Sequence, residues 1–177
     1  MPHISAQATP VAPAAVHSDG RWAGYAAGAC AFLNAAVSFY WAAGGTFGLD
    51  TVGSQADELA ALGNVGAFIV WFAGLLKVAG GLLALALVQA WGPRLFRPGM
   101  LLLAGWGGAA VLVLYGGAQV GSLLLVATGV VEASDDMDWR AFYGHLYLWD
   151  LWFLVWGVLL AITAFYYTRN RRRLGGS

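Results

Sequence analysis

The chain has 177 residues, 60% of them apolar and only 10% charged, against roughly 25% charged residues in ordinary soluble domains. With a mean hydropathy of +0.68, this argues against a soluble globular domain and a disordered chain, and leaves a polytopic membrane protein. Nine basic and nine acidic residues cancel, so there is no basic field for nucleic acid, and the lone Cys30 excludes an intramolecular disulfide framework and a cysteine-cluster metal site.

Residues 1–20, MPHISAQATPVAPAAVHSDG, read as a disordered cytoplasmic tail. They carry neither the basic start nor the apolar run of a signal peptide. His3 and His17 read as solvated tail histidines. The domain proper is expected over 21–168, with a basic cytoplasmic tail at 169–177.

Four long stretches with almost no charge fill that domain, and a spanning helix needs about 20 mostly apolar residues. They place spans at 22–44, 65–91, 99–128 and 141–168, with Lys77 the one charge inside the second and Asp150 the one inside the fourth. Alternation of period two is absent, so helices rather than a barrel are expected. The fold class is all-α, an integral membrane four-helix bundle.

Charge orients it. Arg94 and Arg97 lie between spans two and three, and Arg169, Arg171, Arg172 and Arg173 follow span four. Asp50, Asp57, Glu58, Glu132, Asp135, Asp136 and Asp138 lie on the other side, with Arg140. The positive-inside rule then makes both termini cytoplasmic. The short connection at 92–98 carries Pro93 and Pro98 and predicts a tight antiparallel pairing of spans two and three. In the outer loop, Ser54 with Asp57 resembles a capping box, and a short interfacial helix is expected at 54–62.

Glycines at small-xxx-small spacing, Gly24 with Gly28, Gly44 with Gly48 and Gly117 with Gly121, suit close helix packing. Trp22, Tyr25, Trp91, Tyr166 and Tyr167 fit an inner interfacial belt, and Tyr40, Trp41, Trp139, Tyr143 and Tyr147 an outer one.

Lys77 is the sharpest feature. A charge at the helix centre costs roughly 2.5–3.5 kcal/mol on insertion scales, so Lys77 is expected to face the interior. Asp150 is its natural partner. Such a pair reads either as a buried register-fixing salt bridge or as a proton-handling or ligand-orienting one. Asn34, Ser38 and Trp41 share a face of span one, Tyr115, Gln119 and Ser122 a face of span three, and Tyr143, Tyr147 and Asp150 a face of span four. Together they suggest a polar cleft open to the outer face, with inter-helix hydrogen bonding as the alternative.

His145, Trp149, Trp152 and Trp156 form one stripe along span four. It reads as core or lipid-facing packing, or as an aromatic wall for an isoprenoid cation. His145 is expected to pair with Asp138 or Glu132 as an interfacial acid–base group. No metal or cofactor site is expected, since haem and zinc lack ligands, and no nucleotide or hydrolase motif occurs.

The segments SFYWAAGGTFGLDTVG, WFAGLLKVAGGLLALALV with its WGPRL continuation, and HLYLWDLWFLVWGVLL carry a resemblance over 22–168. The chain resembles a family of small bacterial four-span membrane proteins catalogued as a domain of unknown function, in which Tyr40-Trp41, Gly44-Gly45, Lys77 and Trp149-Asp150 recur. The resemblance implies no activity. GLLKVAGG is also similar to DoxX-like membrane proteins. Arginine outnumbers lysine eight to one, which suits a high-GC, actinobacterial-type source.

The expected function is a non-catalytic module of the bacterial plasma membrane. It would hold a lipid-like molecule or a partner helix in an outward polar and aromatic cleft organised by Lys77 and Asp150, with Asn34, Ser38, Tyr115, Gln119, Tyr147 and Trp149 as further lining. The rival is an intramembrane acid–base isomerase or cyclase on an isoprenoid or sterol-like substrate, with Asp150 or Glu132 as proton donor and Lys77 and His145 as further candidates. A small proton-coupled carrier is the third reading. Four spans are few for a transporter, and a homo-oligomer would make up the shortfall.

Overall fold

A computed structural model describes residues 20–175. The tail at 1–19 lies outside them. Among the described residues the chain is all-helical, without a strand. The elements are α1 (Arg21–Ala42), a 3-10 turn (Leu49–Thr51), α2 (Ser54–Ala61), α3 (Asn64–Val88), α4 (Gly92–Leu95) and α5 (Pro98–Ala127). Then α6 (Trp139–Gly144) runs through a π-helical turn (His145–Trp149) into α7 (Asp150–Gly175).

The long helices occupy the uncharged stretches. Helix α3, helix α5 and the continuous Trp139–Arg173 stretch are long and apolar enough to cross a membrane. Helix α1 falls outside that set: its 22 residues are rich in Ala and Gly and include Arg21 and Asn34. Local chemistry sets several ends. Pro98 stands in the first turn of α5, where its missing N–H costs nothing. Asp138 caps α6, its Oδ1 accepting from the N–H groups of Arg140 at 3.0 Å and Ala141 at 3.1 Å. The expected capping box at Ser54 does not form. Gly53 is the N-cap of α2 and makes no side-chain cap, so Ser54 already lies inside the helix.

The four long helices pack as two close pairs, α1 along α3 and α5 along α7, joined chiefly where α1 meets α7. The tight pairing expected for spans two and three is not found, because α3 and α5 touch only lightly. A short loop fixes sequence adjacency, but small residues decide which backbones approach. Gly24 and Gly28 of α1 lie against Val88 and Leu85, and Gly74 and Gly81 of α3 against Phe39 and Phe32. In the second pair, a Cβ on Gly116 would fall 2.6 Å from the Leu154 backbone nitrogen, and one on Gly157 would fall 2.8 Å from the Val113 nitrogen.

Gly116 therefore does what the Gly117 and Gly121 spacing suggested for its neighbours. A Cβ on Gly117 would meet only Leu154 Cδ1, at 3.9 Å, and one on Gly121 would meet nothing. Gly44 and Gly48 pack no helices either. They turn the chain with φ of 95° and 81°, which only glycine adopts cheaply. The core combines small residues at the crossings (Ala27, Ala31, Ala84, Ala109) with Leu87, Leu101, Trp156 and Leu160.

Candidate functional site

The site is built at the end where the 43–63 connection meets α6 and the π-helical turn. Three consecutive residues hold that junction. Asp50 forms an ion pair with Arg140. The Thr51 hydroxyl accepts from Trp149 Nε1 at 3.0 Å while donating to the Gly48 carbonyl at 2.6 Å. The Val52 carbonyl lies 3.2 Å from His145 Nε2. Two glycines permit the approach: a Cβ on Gly144 would overlap Thr51, and one on Gly53 would crowd the Ala141 methyl at 2.8 Å.

His145 Nδ1 lies 3.1 Å from Asp150 Oδ2. In an α-helix, residues five apart point about 140° away from each other. The π-helical turn instead closes i to i+5 and brings this pair face to face. Asp150 is 2% exposed. Both ring nitrogens of His145 thus face acceptors, a carboxylate and a carbonyl. A neutral imidazole has one N–H. Both contacts close only if the ring is an imidazolium beside a carboxylate, or if a neutral ring donates to Val52 and receives a proton from Asp150. In either state one proton sits between Nδ1 and Oδ2.

The expected ion pair between Lys77 and Asp150 is not formed. Lys77 Nζ donates to Ser38 Oγ at 2.7 Å and lies 5.5 Å from the centre of the Phe153 ring. Among the described residues the ion pairs are Arg140–Asp50 and His145–Asp150. The π-helical turn explains the difference, since its extra residue swings Asp150 toward His145. The same phase shift removes Asp150 from the face of Tyr143 and Tyr147. Those two rings stack with an interplanar angle of 7° and point outward, Tyr147 being 68% exposed.

His145 does not pair with Asp138 or Glu132. Asp138 is engaged as the α6 cap, and Glu132 is exposed in the 128–138 connection. Asn34 is buried beside the α1–α3 contact, and its amide nitrogen has no partner. Trp41 donates to the Phe47 carbonyl at 3.0 Å and packs edge-on against Trp149. Tyr115 is half-exposed and packs edge-on against Phe153. Ser122 donates to the Gln119 carbonyl one turn back.

The tryptophan stripe divides: Trp149 and Trp152 face a groove beside α1, and Trp156 packs in the core. Trp152 Nε1 donates to the Cys30 carbonyl of α1 at 3.0 Å, and Trp156 is 4% exposed in the core. The Val52 and Cys30 carbonyls leave no trace in the sequence, because a backbone acceptor has no side-chain signal, and the Thr51 hydroxyl belongs to no periodic pattern.

Two cavities flank the π-helical turn. A groove of about 990 Å³ lies between α1, the 46–51 segment and α7. Leu33, Val37, Tyr40, Phe47, Trp149 and Trp152 wall it, and the Asp50–Arg140 ion pair stands at its mouth. On the other side, a cavity of about 290 Å³ gathers His145, Asp150, Gln119, Ser122 and Gln55. The expected single cleft is therefore two: an aromatic groove and a small polar cavity. Lys77 lines neither.

Residues 31–160 match the family described as "Protein of unknown function (DUF3995)", and the chain belongs to that family. The match takes in the whole junction, from Asp50 through Asp150. No curated protein and no solved structure matches the chain.

Proposed function

We propose that this protein is a four-span helical bundle of the bacterial inner membrane, with α1 as the fourth span and both termini cytoplasmic. Its function is to hold a lipid-like molecule in the groove between α1 and α7. Exposed Phe68, Leu75, Leu82, Leu103, Val111 and Leu114 on α3 and α5 suit contact with lipid chains. The arginines of 94–97 and 169–173 and the carboxylates of the opposite connections supply the orientation.

The groove carries the ligand reading. Its volume of about 990 Å³ stands at the top of the roughly 300–1,000 Å³ range of small-molecule pockets. Apolar and aromatic walls under a charged mouth match a ligand with a hydrocarbon body and a polar head. The test is extraction of the purified protein with organic solvent and mass spectrometry of the extract. Ala36→Trp, which fills the groove from α1, is expected to strip the co-purified lipid while leaving the fold intact. Identical extracts from the wild type and Ala36→Trp would overturn the reading.

A second reading rests on the proton held between His145 and Asp150. A buried acid–base pair beside a polar cavity suits proton transfer to an isoprenoid-like substrate or across the membrane. Proton flux into liposomes under a gradient, absent in Asp150→Asn, would favour the carrier. Absence of flux in the wild type would remove it.

A further inference from the structure

A different cavity lies at the far end of the helices from the groove, where α1 begins, α3 ends and α7 emerges. It measures about 560 Å³. Its apolar wall is made by Leu87, Val88, Pro93 and Pro98. Arg21, Asn170 and Arg171 supply its polar side, and no carboxylate is among its described lining residues. Tyr167 also lines it, and the Tyr167 hydroxyl is buried without a hydrogen-bond partner.

Local structure brings these groups together. Gly20, with φ of 92°, starts α1 against the Tyr166 ring, where a Cβ would overlap it. Arg21 is thereby set over the cavity, and its guanidinium donates to Tyr25 at 3.2 Å. Trp91 donates to Gln89 Oε1 at 2.9 Å and fixes that rim.

Two guanidinium groups and an amide form a donor-rich rim above an apolar wall, while the Tyr167 hydroxyl is buried behind it. Guanidinium groups bind phosphate oxygens through paired charge-assisted hydrogen bonds. We infer that this cavity is a binding site for a phosphate-bearing anion, with the headgroup of an anionic phospholipid as the occupant that also uses the apolar wall. The site is separate from the groove and does not depend on what the groove holds.

The experiment is native mass spectrometry of the full chain reconstituted with equal phosphatidylglycerol and phosphatidylcholine. Phosphatidylglycerol is expected to be retained in preference. Arg21→Gln with Arg171→Gln should weaken that preference roughly tenfold or more. Tyr167→Phe, which keeps the ring and removes only a buried hydroxyl, should leave it unchanged. Arg173→Gln on the exposed tail should leave it unchanged.

Inorganic phosphate in lipid-free detergent forms the second arm. A rise in unfolding temperature with phosphate in the wild type, lost in the double variant, assigns the site to the free anion as well. Three outcomes overturn the proposal: equal retention of the two lipids with no phosphate effect, a preference unchanged in Arg21→Gln/Arg171→Gln, or an equal loss in Arg173→Gln.

Discussion

His145 and Asp150 face each other across a single π-helical turn, with Nδ1 and Oδ2 3.1 Å apart. Five residues separate them, so the contact exists only because the turn carries one residue more than an α-helix would. The second ring nitrogen reaches the Val52 carbonyl. One imidazole therefore ties a buried carboxylate to the segment that walls the groove. The aromatic groove lies on one side of the turn, and the polar cavity that His145 and Asp150 line lies on the other.

Removing the imidazole should be costly. His145→Ala leaves Asp150 buried without its partner, and breaking a buried pair from one side costs about 3–5 kcal/mol. Asp150→Asn keeps the shape and a hydrogen bond to the ring, so its cost should be smaller. The pair His145→Ala with Asp150→Leu should recover part of the loss. Thermal unfolding in detergent reads all three, and a His145→Ala protein as stable as the wild type would contradict the assigned contact.

Lys77 should couple to α1 rather than to Asp150. Its ammonium donates to Ser38 at 2.7 Å, and a hydrogen bond to a charged group is worth about 1.5–3 kcal/mol. A double-mutant cycle of Lys77→Met with Ser38→Ala should show an interaction energy of that order. The cycle of Lys77→Met with Asp150→Asn should be additive within about 0.5 kcal/mol. A larger coupling to Asp150 than to Ser38 would mean that the two charges do meet.

The glycines make a sharper contrast. A Cβ on Gly116 would fall 2.6 Å from the Leu154 nitrogen and 3.0 Å from the Asp150 carbonyl oxygen, whereas one on Gly121 would meet nothing within 4 Å. Gly116→Val should push α5 from α7 and cost at least about 1–3 kcal/mol, as overpacking does. Gly121→Ala should be neutral or stabilise by up to about 1 kcal/mol, since alanine favours the helix. Equal effects of the two, measured by unfolding in detergent, would place the helix contact elsewhere.

Much of this architecture can be read from residue order, and the exceptions share a cause. The uncharged runs mark the helices because lipid or core tolerates few charges along them. Lys77 is turned inward, onto Ser38. Its partner is hidden from the sequence because the π-helical turn shifts side-chain phase by one residue without altering the apolar pattern of HLYLWDLWFLVW. The looseness of α3 against α5 is hidden too, because loop length carries no information on backbone approach. Gly116 against Leu154 does carry it, but only once the facing helix is known. The grip of residues 50–52 on α6 and the π-helical turn uses a carbonyl, a hydroxyl and an exposed ion pair, and none of these forms a periodic pattern.

Topology is open to a direct test, because Cys30 is the single cysteine and sits half-buried against Trp152. In a Cys30→Ser background, Ser134→Cys places a thiol in the exposed connection between α5 and α6, and Gln55→Cys places one on α2. A membrane-impermeant maleimide should label both on intact cells. Arg94→Cys, in α4 on the basic side, should label only after permeabilisation. Cytoplasmic connections retain arginine, while carboxylates contribute little to orientation. The Arg140–Asp50 ion pair removes the one apparent exception. Arg140 stands among the carboxylates, but its charge is matched at the groove mouth rather than left in a loop. Labelling of Arg94→Cys on intact cells, with Ser134→Cys protected, would invert the topology. It would also turn the groove mouth to the cytoplasm and expose the arginine-rimmed cavity to the outer leaflet.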